Sequence, residues 1–196
     1  VQVMKIFRAL AATLLFVVLL LATYYIHIRF FTVNVVFYAA IADGVVAALM
    51  TSLVMYPSRT FNGFEKLQLL VIWVLAGYCF AISVPTVIDR SLSFYILEKL
   101  QQRGGGIQQN RFADVFTQEY LKEHRLVDVR LTEQTESGTI QIVNGCVKLT
   151  EKGQKFATAS RYFRQNFLPK KRLLMGQYSS DLTDPFRNSA DISDYK

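Results

Sequence analysis

The chain changes character at Val84–Ser91. Before this stretch apolar residues run almost unbroken; after it they recur singly among charges. Ala9 to Ile26 is 18 residues without a charge. Hydrocarbon about 30 Å thick takes roughly 20 helical residues, because in lipid the backbone has to satisfy its own hydrogen bonds. Lys5 and Arg8 precede this run, and Tyr24, Tyr25, Phe30 and Phe31 close it like an interfacial belt. It has no clear small-residue cleavage site and is followed by more apolar runs, so it reads as an anchor rather than a leader peptide. Thr32 to Tyr56 predicts a second span and Leu67 to Ile88 a third, the last carrying Gly77, Cys79 and Pro85. The joins at His27–Thr32 and Pro57–Lys66 are short, with Asn62-Gly63 supplying a turn in the second. The expected arrangement is an up-down-up bundle of transmembrane helices, at about 7–28, 32–56 and 67–88.

Asp43 interrupts the second span near its middle and is followed by Gly44. A carboxylate at that depth is costly against lipid, so it is expected to face protein or water. Two roles fit it. One is a contact with a basic or hydroxyl group of a partner subunit. The other is a protonated acid bonded to a Tyr or Ser inside the bundle. A single intramembrane acid makes a poor transport path.

Beyond the junction, periodicity predicts a helix capped by Asp89 or Ser91, with Leu92, Ile96 and Leu100 on one face. Gly104-Gly105-Gly106 ends it; no Lys-Ser/Thr follows, so these glycines are not a phosphate loop. Asn110 is expected to cap a second helix with Phe112, Val115 and Phe116 inward. Leu126 to Ser137 reads as a third helix, Val127 and Leu131 inward, against a competing strand over Leu126 to Leu131. Thr139–Val143 and Cys146–Leu149 flank Asn144-Gly145, a pair that favours a type I′ hairpin turn because both residues accept positive φ. Thr150 opens a last helix, ended by Pro169, in which Phe156, Ala159, Phe163 and Phe167 recur at helical spacing. That spacing predicts a face turned into the domain core, with Lys155, Arg161 and Arg164 solvated.

The order helix, helix, helix, hairpin, helix over about Ser91 to Leu168 resembles the winged helix-turn-helix domains, MarR-like in layout. The resemblance is sharpest from Gly138-Thr139-Ile140 through Asn144-Gly145 to Leu149-Thr150-Glu151-Lys152-Gly153. The fold class expected is therefore a mainly α membrane protein, with a three-helix transmembrane bundle over 1–88 and an α+β winged-helix domain over 89–168. A basic and then polar tail follows over 169–196, its part from Gly176 on expected to be extended or disordered. The resemblance implies a recognition helix bearing Arg125, Asp128, Arg130, Glu133 and Gln134, and a wing with Asn144, Gly145 and Lys148.

Charge bears on whether such a helix reads DNA. The chain carries +7 overall, yet the candidate recognition helix is slightly acidic and the hairpin turn is uncharged. Phosphate binding needs clustered positive charge, so nucleic acid is disfavoured and a protein-binding module is the leading expectation. The basic residues gather later, and Lys170, Lys171 and Arg172 are candidates for lipid headgroup contact. Two cysteines and two histidines give no metal spacing and no disulfide framework, and no cofactor is expected.

The function expected is a non-enzymatic accessory, adaptor or regulatory subunit of another membrane protein, or of a second copy of itself. The alternatives are a membrane-tethered transcription regulator and a subunit of an enzyme acting on lipid-linked substrates. The positive-inside rule does not orient the chain, because Lys5, Arg8, Arg59 and Lys66 balance Arg29, Arg90, Lys99 and Arg103. The fold and the free Cys146 place the C-terminal half in the cytoplasm, at a bacterial inner membrane.

Overall fold

The computed structural model describes residues 2–182 and 184–187. The chain forms two compact units, Val1–Gln118 and Glu119–Lys196. In the first, three helices are long and apolar enough to cross a membrane: α1 (Gln2–Phe30), α2 (Val36–Met55) and α3 (Gly63–Ala81). α2 is the middle member and packs along both neighbours. Its buried residues include Ala39, Ala40, Gly44, Ala47 and Ala48, so backbones approach closely, as suits helices that lack a hydrophobic driving force between them in lipid. The approach is tightest where Gly44 faces Gly77 of α3: a Cβ built on Gly77 would lie 2.9 Å from the Gly44 Cα. Elsewhere large side chains fill the bundle. Trp73 stacks on Phe16, ring centroids 6.1 Å apart, and its indole N–H donates to the Thr13 hydroxyl at 3.2 Å.

The third span begins earlier than its apolar run. Asn62, expected in a turn, is instead the N-cap of α3. Its side chain accepts from the Glu65 N–H at 2.8 Å, and the Glu65 carboxylate accepts from the Asn62 N–H at 2.8 Å. This capping box satisfies two otherwise orphaned donors. Glu65 also accepts from Lys5 of α1 at 2.7 Å, and Arg8 bonds the Thr60 hydroxyl, so one end of the bundle is tied by polar links. At the other end the helix runs on through a π-helical turn, Ile82–Thr86, and a final α turn, Val87–Arg90. Pro85 sits within the π turn, where its missing N–H is accommodated. Ser91 alone is extended before α4 (Leu92–Gln102). Its hydroxyl accepts from the Phe94 N–H, and Asp89 remains inside the preceding turn.

The buried residues of α4 are Tyr95 and Lys99; of the expected face, Ile96 and Leu100 beside them are half-buried and Leu92 is exposed. The Lys99 stem is covered while its ammonium lies 5.9 Å from the centre of the Tyr95 ring, a way for a long cation to pack. α5 (109–123) is a mixed run of 3-10, α and π turns. Gln108 rather than Asn110 is its N-cap, and Asn110 lies inside the opening 3-10 turn. Val115 is buried as expected, and Phe112 and Phe116 pack on each other at 5.5 Å.

In the second unit, α6 (Leu126–Glu136) is a helix throughout, which settles the strand alternative. It ends in a Schellman arrangement. Gly138 takes φ 69°, its N–H donates to the Thr135 carbonyl, and the Thr139 N–H donates to that of Gln134. β1 (Ile140–Val143) and β2 (Cys146–Leu149) pair antiparallel, Val143 opposite Cys146. Asn144 and Gly145 have φ of 52° and 78°, the positive values a type I′ turn requires. α7 (Glu151–Phe167) is capped by the Thr150 hydroxyl, which accepts from the Gly153 N–H at 3.1 Å and donates to the Gly138 carbonyl at 2.8 Å. Gly153 is pressed so closely on the Thr139 carbonyl that any Cβ there would collide with it.

Three expectations fail in this unit. The segment after α7 contains a second hairpin, β3 (Arg172–Leu174) with β4 (Gln177–Ser179), turning through Met175 and Gly176 at φ 48° and 86°. The residues from Asn188 on, expected to be polar tail, lie outside those described. The aromatic face of α7 is not turned into a core: Phe156, Phe163 and Phe167 are all exposed. Val127 of α6 is exposed as well. The expected order of elements is present, and the compact units divide it within α5.

Candidate functional site

Three places in the chain gather chemistry. The first is inside the bundle. Asp43 stands two turns into α2, about 10 Å from its start, and is 6% exposed. Its Oδ1 lies 2.9 Å from Nδ1 of His27 on α1, so one hydrogen bond joins the first two spans. Its Oδ2 is buried without a hydrogen-bonding partner among the described residues, as is the Thr86 hydroxyl in the π turn. Tyr24, one turn before His27, stands edge-on to Phe80 of α3 at 5.5 Å. The intramembrane acid thus meets a base of its own chain, and Gly44 beside it seats α2 against α3. The apolar run ends at Ile26 and so does not single out His27; α1 continues to Phe30 and keeps the imidazole on the helix. A lone acid in one span, with a lone base near the end of the adjacent one, was the available signal.

The second place is α6 with the first hairpin. Arg125, left-handed at φ 44°, donates to Asp128 at 2.7 Å, and Arg130 donates to Glu133 at 2.8 Å. Gln134 accepts from the Thr139 N–H and, through its side chain, from the Thr139 hydroxyl. Arg125, Asp128, Arg130 and Glu133 of the candidate recognition helix are therefore held in pairs along its own surface. Asn144 and Gly145 form the hairpin tip, and Lys148 lies half-buried on β2. Apolar side chains stay outside: Val127 is 63% exposed, and Val129, Ile142, Val147 and Leu149 are exposed too. A shallow depression between α6 and β1 is lined by Leu131, Thr135 and Ile142.

The third place is α7 and the stretch after it. Lys155 and Arg161 are exposed and Arg164 half-buried on the helix; Lys170, Lys171 and Arg172 are exposed beyond it. Pro185 and Phe186 lie against Ala157, Ser160 and Arg164 around a small cleft. In the same tail, the Ser179 hydroxyl and the nearby Arg187 guanidinium hold the Asp181 carboxyl below the ordinary aspartate range.

Cys79 and Cys146 are free thiols, and among the described residues no three of His, Cys, Asp and Glu gather in a way that could hold a metal ion. The chain matches no protein family profile, no curated protein and no solved structure.

Proposed function

We propose that this chain is a non-enzymatic, membrane-anchored accessory protein whose part beyond the spans, winged-helix in layout over about Ser91 to Leu168, docks on another membrane protein. In this reading the spans hold that part on the cytoplasmic side of a bacterial inner membrane, and α6 with the first hairpin forms the docking face.

One observation carries the proposal. From Glu119 on, Tyr120 and Gly153 are the buried residues among those described, while apolar side chains of α6 and both strands of the hairpin face outward. A unit of this size depends on nearly all the apolar surface it can bury. Contiguous apolar surface left outside marks a place where another surface closes the core. The polar groups support docking over catalysis, because those brought together already serve the fold: Asp43 with His27, Arg125 with Asp128, Arg130 with Glu133. The same pairing of both arginines leaves α6 without the basic stripe that DNA phosphates demand.

The test is photo-crosslinking in native membranes with the full chain, a photoreactive residue replacing Val127 or Ile142 and, as control, Ser93 on the exposed side of α4. Val127 and Ile142 should give one adduct of the same discrete mass, and Ser93 none. Absence of an adduct from both positions, or salt-sensitive capture of duplex DNA by the chain in nanodiscs, would sink the reading.

A further inference from the structure

α7 carries an apolar stripe that stays exposed among the described residues. Phe156, Ala159, Phe163 and Phe167 recur every three or four residues and so share one side of the helix. Phe156 is 62%, Phe163 55% and Phe167 64% exposed. Phe163 and Phe167 stack on each other at 5.3 Å. At about 100° per residue, Lys155 falls on one border of the stripe and Arg164 on the other. Gln154, Thr158 and Gln165 take the far side. Between Glu151 and Arg172 seven basic residues accompany one acid, a net of +6 that nearly equals the +7 of the whole chain.

We propose that this face of α7 is a lipid-contact surface that lies in the headgroup boundary of an anionic leaflet. Phe156, Phe163 and Phe167 enter the interface. Lys155, Arg164, Lys170, Lys171 and Arg172 meet the phosphates. An aromatic stripe bordered by cations on an otherwise polar helix is the pattern of helices that lie on bilayers. Charge selects this occupant. Anionic headgroups complement the segment, whereas a second α7 would bring the same +6 against it. The spanning helices also keep the segment permanently near a bilayer, so that even modest intrinsic affinity suffices. This surface is separate from the α6–hairpin face, and its test reads a different segment.

The experiment places the full chain, one copy per nanodisc, in discs of phosphatidylglycerol mixed with phosphatidylcholine and in discs of phosphatidylcholine alone. Amide hydrogen exchange is followed over Glu151–Phe167. Exchange should be about tenfold slower or more in the anionic discs, and raising salt from about 0.05 M to about 0.5 M should remove the difference, because the Debye length shrinks severalfold. Each basic residue at an anionic surface is worth about fivefold, so Lys155→Gln with Arg164→Gln should weaken the contact by about 25-fold. A Phe163→Trp chain, read against the Trp73 signal of the unchanged protein, should be quenched by brominated acyl chains in anionic discs. Equal exchange in both lipids overturns the proposal. So does protection of α7 with no quenching at position 163, which would assign the face to protein.

Discussion

Gly77→Ala tests the bundle most sharply, since the structure sets its cost. The added Cβ would stand 2.9 Å from the Gly44 Cα and 3.3 Å from its carbonyl carbon. Carbon atoms rest at about 3.5–4.0 Å, so α2 and α3 must part by roughly 0.6–1 Å, a gap that forfeits about a quarter to a half of the dispersion well. Overpacking of this kind costs about 1–3 kcal/mol. Alanine returns about 1 kcal/mol through its better helix propensity. The expected net loss is therefore about 1 kcal/mol, and Gly77→Leu should lose about 3 kcal/mol. The chain supplies its own probe, because Trp73 is its single tryptophan and is 1% exposed in the bundle core. Unfolding in mixed micelles by sodium dodecyl sulfate, followed by Trp73 emission, should give midpoints in the order wild type, Ala, Leu. Gly44→Ala with Gly77→Ala should cost less than the sum of the two, since either methyl alone already separates the helices. A Gly77→Ala bundle as stable as wild type, or more so, would refute the close approach.

In the same assay His27→Ala should destabilise by about 1–3 kcal/mol, because it leaves both Asp43 oxygens buried and unbonded. Adding Asp43→Ala should then cost little more, whereas full additivity would show that the two residues do not act together. Gly153→Ala drives a methyl into the Thr139 carbonyl, so exchange across Ile140–Leu149 should quicken by about tenfold, equivalent to about 1.4 kcal/mol. The Asp181 carboxyl is held below its ordinary value of 3.8 by the Ser179 hydroxyl and Arg187. A lowered carboxylate stabilises the folded form above its unfolded pKa and loses that contribution as pH falls through the folded value. Local exchange around Ser179 should therefore rise only on acidification below the ordinary aspartate range, and Arg187→Ala should move that rise to higher pH.

The spans were legible because an apolar run of the right length has few other uses, and the first hairpin because Asn144-Gly145 fits little but a tight turn. Helix boundaries were less so. Asn62 looked like a turn residue until Glu65, three positions on, completed a capping box, and α1 ran past the end of its apolar run to keep His27 helical. The second hairpin was hidden because Met175-Gly176 lacks a strong turn pair and its strands are three residues each. For α7, periodicity revealed that the phenylalanines share a face but could not reveal what the face meets; core and membrane surface ask for the same spacing. The Asp43–His27 bond and the Gly44–Gly77 contact depend on how three helices are rotated against one another, which no single stretch of sequence encodes.

In the proposed function α6 and the first hairpin are completed by a protein partner. Hydrogen exchange over Leu126–Leu149 tests it directly, comparing the chain in native membrane discs extracted without detergent with the same chain purified and reconstituted alone. Protection should be strong in native discs and mostly lost on purification, with the spanning helices unchanged in both. Equal, strong protection in the isolated chain would contradict it, because the unit would then be stable with no surface to complete it.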